Sequence, residues 1–132
     1  MRPHFSIGKL ANQHIEMGTI CVNGIRVYAF HGCLPEEGKI GGEYIVDVTI
    51  DADFSKAAQN DELSDTVDYC VVHDAVKAEM AIRSKLIEHV AQRILLALRK
   101  AYPAVKTFTV KVTKINPPMN GAVDSVAVIV EG

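Results

Sequence analysis

Cysteine is scarce in this chain, and the few present do not pair. The 132 residues hold Cys21, Cys33 and Cys70, an odd number with no C-x-x-C spacing. That argues against a disulfide framework or a zinc ribbon and places the protein in a reducing, cytoplasmic compartment. Positive charge is not in excess: 14 Lys and Arg against 16 Asp and Glu leave a net charge of −2, without the basic face that nucleic-acid binding needs. No stretch approaches the roughly 18 apolar residues of a membrane span. Neither nucleic acid nor membrane is therefore an expected partner. The opening MRPHFSIGKLANQHIEMG lacks a continuous apolar region and a small-residue cleavage site, so it does not read as a signal peptide. Residues 1–17 read instead as a mobile extension, ahead of a single domain over residues 18–132. Among the five histidines, His31, His73 and His89 show no H-x-H, H-x-x-x-H or Cys/His spacing, so no metal centre is expected. P-loop, G-x-S-x-G and dinucleotide-binding glycine patterns are missing, as are internal repeats and low-complexity tracts.

The segments that are present alternate in period. Thr19 to Phe30 is rich in strand formers but changes parity at Asn23-Gly24: Ile20 and Val22 precede it, and Ile25, Val27 and Ala29 follow. Strand on both sides of such a switch predicts a bulge. HGCLPEEGKIGG then reads as a loop. Tyr44 to Phe54 alternates cleanly, with Tyr44, Val46, Val48, Ile50, Ala52 and Phe54 on one face and Asp47, Thr49, Asp51 and Asp53 on the other. Val105 to Ile115 repeats this with Phe108, Val110 and Val112 against Thr107, Thr109, Lys111 and Thr113, and a last strand covers Ser125 to Glu131. Between the second and third strands, Val72, Val76 and Met80 mark a helix over Cys70 to Ile82, with Asp68 as its N-cap. Ile87, Ala91, Ile94, Leu95 and Leu98 mark a second helix over Ser84 to Leu98, with Ser84 as its N-cap and Arg99 and Lys100 in its last turn. The order β-β-α-α-β-β predicts an α+β layer, with two helices on one face of an antiparallel four-stranded sheet. The Asp/Thr/Lys faces of the middle strands are too polar for a second dry core. They face either bulk water or a wet channel closed by other subunits.

Two charges sit where an amphipathic layer does not ask for them. Glu88 falls on the edge of its helix's apolar stripe, beside Ser84 and Leu95. Lys114 continues the apolar row of Phe108, Val110 and Val112 just before Asn116-Pro117-Pro118. A rim carboxylate or a snorkelling lysine is the commoner outcome for each alone. Together they are what a small polar ligand at the layer's edge requires, and lysine is suited to proton transfer. Loop candidates are His31-Gly32, Glu36 and Glu37, and Tyr69 after Asp65-Thr66-Val67-Asp68.

The segments YAFHGCLPEEGKIGGEYIVDV, LSDTVDY, KLIEHVAQRI, KVTKINPP and DSVAVIVE, in this order, resemble the dihydroneopterin aldolase family of the tunnelling fold, from about Ile20 to Glu131. The resemblance implies the β-β-α-α-β-β fold, with sheets joining into a multi-subunit barrel, a homo-octamer or homotetramer. It implies retro-aldol cleavage of a pterin, 7,8-dihydroneopterin, in folate biosynthesis, with no metal, Schiff base or other cofactor and with possible C2′ epimerisation. It assigns Glu88 to anchoring the amino-pyrimidine edge, Lys114 to proton transfer, Tyr69 to proton delivery from a neighbouring subunit, and Glu37 to the hydroxylated tail. The resemblance also implies that the backbone of Val67 and Ile87 faces the ring. Glu37 is expected, like Tyr69, from a different subunit than Glu88 and Lys114, which makes a monomer inert. The chain departs from the family at Met119-Asn120-Gly121-Ala122, where a proline-glycine-histidine turn is usual, and its helix connection near Ala81-Ile82-Arg83 is about one residue short. The related dihydroneopterin-triphosphate epimerase, a non-catalytic pterin or purine binder and a purely structural ring protein are the alternatives.

Overall fold

The fold follows from how each strand spends its inward face. A computed structural model describes residues 17–132, so the expected extension lies, Met17 aside, outside the described residues. The elements are β1 (Gly18–Ala29), α1 (Pro35–Ile40), β2 (Gly42–Ala52), α2 (Ser55–Asn60), a 3-10 turn (Leu63–Asp65), α3 (Tyr69–Met80), α4 (Ile87–Ala101), β3 (Thr107–Ile115) and β4 (Ser125–Glu131). The four strands form one antiparallel sheet in sequence order, with β1 and β4 at its edges. Val46, Val48 and Ile50 of β2 and Phe108, Val110 and Val112 of β3 are wholly buried, and α3 and α4 cover them with Val72, Val76, Met80, Val90, Ile94 and Leu98. The parity switch in β1 is a one-residue bulge: Val22 pairs with Val48, but Ile25 pairs with Val46. Gly24 takes φ +72° there and donates its N–H to Asp47 Oδ1 at 2.7 Å, a left-handed conformation that favours glycine. After the bulge Ile25 and Ala29 point inward and are buried.

Three sequence expectations change. The loop after β1 contains the short helix α1, because Pro35 opens it with a suitable φ and Glu36 and Glu37 suit its positive end. The second strand stops at Ala52 rather than Phe54, since Asp53 Oδ1 accepts from Ser55 N and Oγ and starts α2. Ser84 does not cap α4. That helix begins at Ile87 behind Leu86, and Ser84 is buried with its hydroxyl shared between His89 Nδ1 (2.7 Å) and Arg93 Nη2 (2.9 Å). Asp68 caps α3 as expected, accepting from Cys70 N at 2.8 Å. Among the described residues no helix is long and apolar enough to cross a membrane.

Candidate functional site

Lys114 stands where the inward row of β3 runs out of apolar partners. It pairs across the sheet with Tyr44, and its ammonium donates to the His31 carbonyl at 3.0 Å and to Glu37 Oε2. The Tyr44 hydroxyl donates to the same His31 carbonyl at 2.8 Å. The side chains of Lys114 and Glu37 are 15% and 14% exposed, so the pair is sheltered yet open to a ligand at its edge.

Local geometry pins Glu37. Its Oε1 accepts from the Leu34 N–H at 3.2 Å, half of a capping box at the start of α1. Burial pushes its carboxyl up, but the Lys114 ammonium, the Leu34 N–H and the Arg83 charge outweigh burial and hold it below the usual carboxylate range. Gly32 makes room for it: at φ +144°, a Cβ there would lie 2.2 Å from the Glu37 carboxyl carbon.

His31 lies beneath this pair, 1% exposed and edge-on to Tyr44 with ring centroids 5.2 Å apart. Its Nδ1 accepts from the Ser84 N–H at 3.0 Å, which leaves the ring proton on Nε2. Among the described residues Nε2 has no partner at hydrogen-bonding geometry, and the nearby Met80 carbonyl offers it only partial compensation. Burial, aided by the charges of Arg93, Lys114 and Arg83, lowers the imidazole to about 4. His31 is therefore neutral and serves through its backbone carbonyl and its ring acceptor.

Glu88 extends from the first turn of α4, exposed, into a cleft of about 400 Å³ lined by Gly32, Cys33, Glu37, Ile87, Lys114 and Pro118 among others. Glu37 and Lys114 also line a smaller cavity of about 170 Å³ with His31, Tyr44 and Asn116. A carboxylate at one end of a concave cleft and an ammonium–carboxylate pair at the other can grip a flat, donor-edged heterocycle and move protons at its far side.

The structure thus brings Glu37, Ile87, Glu88 and Lys114 to one place, all from one chain. The expectation that Glu37 comes from a different subunit than Lys114 is corrected, because Glu37 of α1 pairs with Lys114 within the same chain. Val67 and Tyr69 are not in this cleft. Val67 is buried along a separate cavity of about 380 Å³ with Phe54, Tyr102 and Val105, and Tyr69 is 63% exposed. From Tyr44, beside Lys114, to Asp51, next to the cavity of Val67, seven steps along β2 span roughly 23 Å. Sequence reasoning missed Tyr44 as a donor to the His31 carbonyl, and it missed Arg83 and Ser84 as supports of the loop. A tyrosine heading an otherwise aliphatic row was the one available signal.

The pattern of the dihydroneopterin aldolase (FolB) family matches residues 20–131. A dihydroneopterin aldolase of Staphylococcus epidermidis is 42% identical over 110 residues, 83% of this chain and 91% of that protein. One of Bacillus subtilis is 38% identical over 116 residues, 85% of this chain and 94% of that protein. In three dimensions the chain is similar to E. coli dihydroneopterin aldolase in complex with neopterin, with a TM-score of 0.80 at 22% identity, over 87% of this chain and 98% of that one. It is also similar to a Burkholderia dihydroneopterin aldolase bound to guanine, with a TM-score of 0.68 at 22% identity, over 89% of this chain and 91% of that one.

Proposed function

This chain belongs to the dihydroneopterin aldolase family, and from that membership we propose how its residues divide the work. The enzyme is a carbon–carbon lyase that cleaves 7,8-dihydroneopterin by a retro-aldol step to 6-hydroxymethyl-7,8-dihydropterin and glycolaldehyde in folate biosynthesis. The bond between C1′ and C2′ breaks. The 2′-hydroxyl loses its proton as C2′ becomes the aldehyde carbon, the electron pair enters the C6–N5 unit of the dihydropterin, and a proton returns to C1′. Because the ring accepts the electron pair, the chemistry asks of the protein only binding, orientation and proton movement.

In our reading Glu88 accepts from the adjacent N–H donors of the amino-pyrimidine edge, and the backbone at Ile87 borders the ring. Glu37, held ionised, accepts from the hydroxylated tail, and Lys114 carries protons to and from the reacting atoms through water. The observation that carries this reading is the convergence of Glu88 and the Glu37–Lys114 pair on one cleft. Tyr69, with the backbone of Val67, completes the site from a neighbouring copy and delivers the proton at C1′. Its exposure, and the bond from the neighbouring Asp68 N–H to Tyr102 on the separate cavity that Lys114 does not line, support that assignment. Assembly into a homo-octamer or homotetramer would pair the outer strands β1 and β4 between copies and enclose the Asp/Thr/Lys sheet face as a channel. The free cysteines Cys21, Cys33 and Cys70 support a cytoplasmic location.

The test is to incubate the purified protein with 7,8-dihydroneopterin and follow both products. Wild type releases hydroxymethyl-dihydropterin and glycolaldehyde in equal amounts. Lys114→Ala lowers kcat by about 10²–10⁴ with a smaller change in pterin affinity, since a proton carrier acts mainly in the transition state. Tight pterin binding without either product would leave a non-catalytic binder and overturn the assignment.

A further inference from the structure

We propose that Arg83 is a positioning residue for the Glu37–Lys114 pair, acting by locking the segment between β1 and α1 that holds both members of that pair. The proposal rests on the reading of Glu37 and Lys114 given above. That segment supplies the His31 carbonyl to Lys114 and the Leu34 N–H to Glu37. It has no regular secondary structure of its own to keep those two groups in register. Arg83, in the connection between α3 and α4, reaches across to three of its carbonyls: Nε donates to Phe30 O at 3.0 Å, and Nη2 donates to Gly32 O at 2.9 Å and Leu34 O at 3.3 Å.

The neighbouring backbone strengthens the seam. Gly32 N donates to Ser84 O at 3.0 Å, and Ser84 N donates to His31 Nδ1 at 3.0 Å. The guanidinium also lies against Gly38 of α1, where a Cβ would fall 2.6 Å from its Cζ and 2.8 Å from its Nη1. None of the ion pairs among the described residues uses Arg83, so its fork of donors is committed to backbone carbonyls rather than to an acid. A planar fork can span three carbonyls, whereas a lysine ammonium is a single point. Arg83 also helps to hold the Glu37 carboxyl in its charged form, after Lys114 and the Leu34 N–H. The other charged or titratable groups around Glu37 are Glu36 and Lys39 on its own helix, and His31, Tyr44, Lys85 and Glu88 lining the clefts with it.

The experiment compares wild type with Arg83→Gln, Arg83→Lys and Gly38→Ala in steady-state turnover of 7,8-dihydroneopterin across pH. Gly38→Ala leaves the arginine in the chain and favours the helix, but its methyl group displaces the guanidinium, so it separates positioning from folding. All three variants are expected to lose kcat on the order of 10- to 100-fold, with KM moving less than about threefold, as misplacement near the chemistry does. The acid limb of the profile is expected to move to higher pH in Arg83→Gln, and added guanidinium ion to restore part of its turnover but none of wild type's. Turnover within about threefold of wild type in both Arg83→Gln and Gly38→Ala would overturn the proposal. A loss that guanidinium does not relieve, with an unmoved acid limb, would overturn it equally. Lys114→Ala, run alongside, separates the two levels: if it is inactive while the Arg83 variants are normal, only the role of Arg83 falls. If Lys114→Ala turns over normally, the pair and this proposal fall together.

Discussion

Replacing His31 by asparagine tests whether the buried imidazole must stay neutral for the site to hold its shape. In the folded chain its Nδ1 accepts from the Ser84 N–H, so a second ring proton would set one N–H against another. Burial is the main reason its pKa falls to about 4 from 6.5, with Arg93, Lys114 and Arg83 adding to the effect and the Met80 carbonyl opposing it. The sign follows from which state binds the proton more readily. The unfolded imidazole titrates near its ordinary value and the folded one lower, so stability is fully present above about pH 6.5 and is lost as pH falls toward about 4. Working the two pKa values through the linkage relation, wild type should lose roughly 2–3 kcal/mol from this group between about pH 7.5 and about pH 4.5. His31→Asn keeps an acceptor near the Nδ1 position and removes the titration. Other carboxylates titrate in both proteins and cancel in the difference. The assay is urea unfolding followed by circular dichroism at both pH values, at one fixed protein concentration so that any assembly contributes equally. His31→Asn is expected to lose roughly 2–3 kcal/mol less than wild type over that interval. Parallel pH dependences in the two proteins would refute the reasoning, because they would show that His31 takes up its proton without cost to the fold.

Other consequences can be checked directly. Gly32→Ala adds a methyl group 2.2 Å from the Glu37 carboxyl carbon at φ +144°; it should cost about 1–3 kcal/mol of stability and lower turnover, measured by thermal unfolding and product release. Unchanged turnover would show that Glu37 need not sit where it does. Glu88→Gln should weaken pterin binding by about tenfold or more in calorimetry, because a charge-assisted pair becomes a neutral one; equal affinity would make Glu88 a rim residue. Tyr69→Phe and Lys114→Ala, each impaired alone, should regain activity when co-assembled, at about a quarter of the sites for random mixing of copies. No recovery in mixed assemblies would place the working tyrosine elsewhere.

Period and parity determined much of this protein from sequence alone. Alternation over residues 44–52 and 107–115 predicted which faces of β2 and β3 are buried, and the switch at Asn23-Gly24 predicted the bulge in β1, because side-chain direction in a strand depends only on position along it. The same parity put Lys114 on the helix-facing side, and helical periodicity put Glu88 at the edge of its stripe, so both ends of the cleft were legible. What only tertiary structure decided lies in the connections. Ser84 has the chemistry of a cap, yet its hydroxyl serves His89 and Arg93 while its amide serves His31, and these partners lie far away in sequence or on another helix turn. The short helix α1 was hidden by glycine and proline, and with it the closure of Glu37 onto Lys114 within one chain. Arg83 carries no local signal at all, since its partners are the carbonyls of residues about fifty positions earlier. Local pattern records which way a side chain points from its own element. Which distant backbone it then meets depends on how the elements pack, and that is where this site acquires its support.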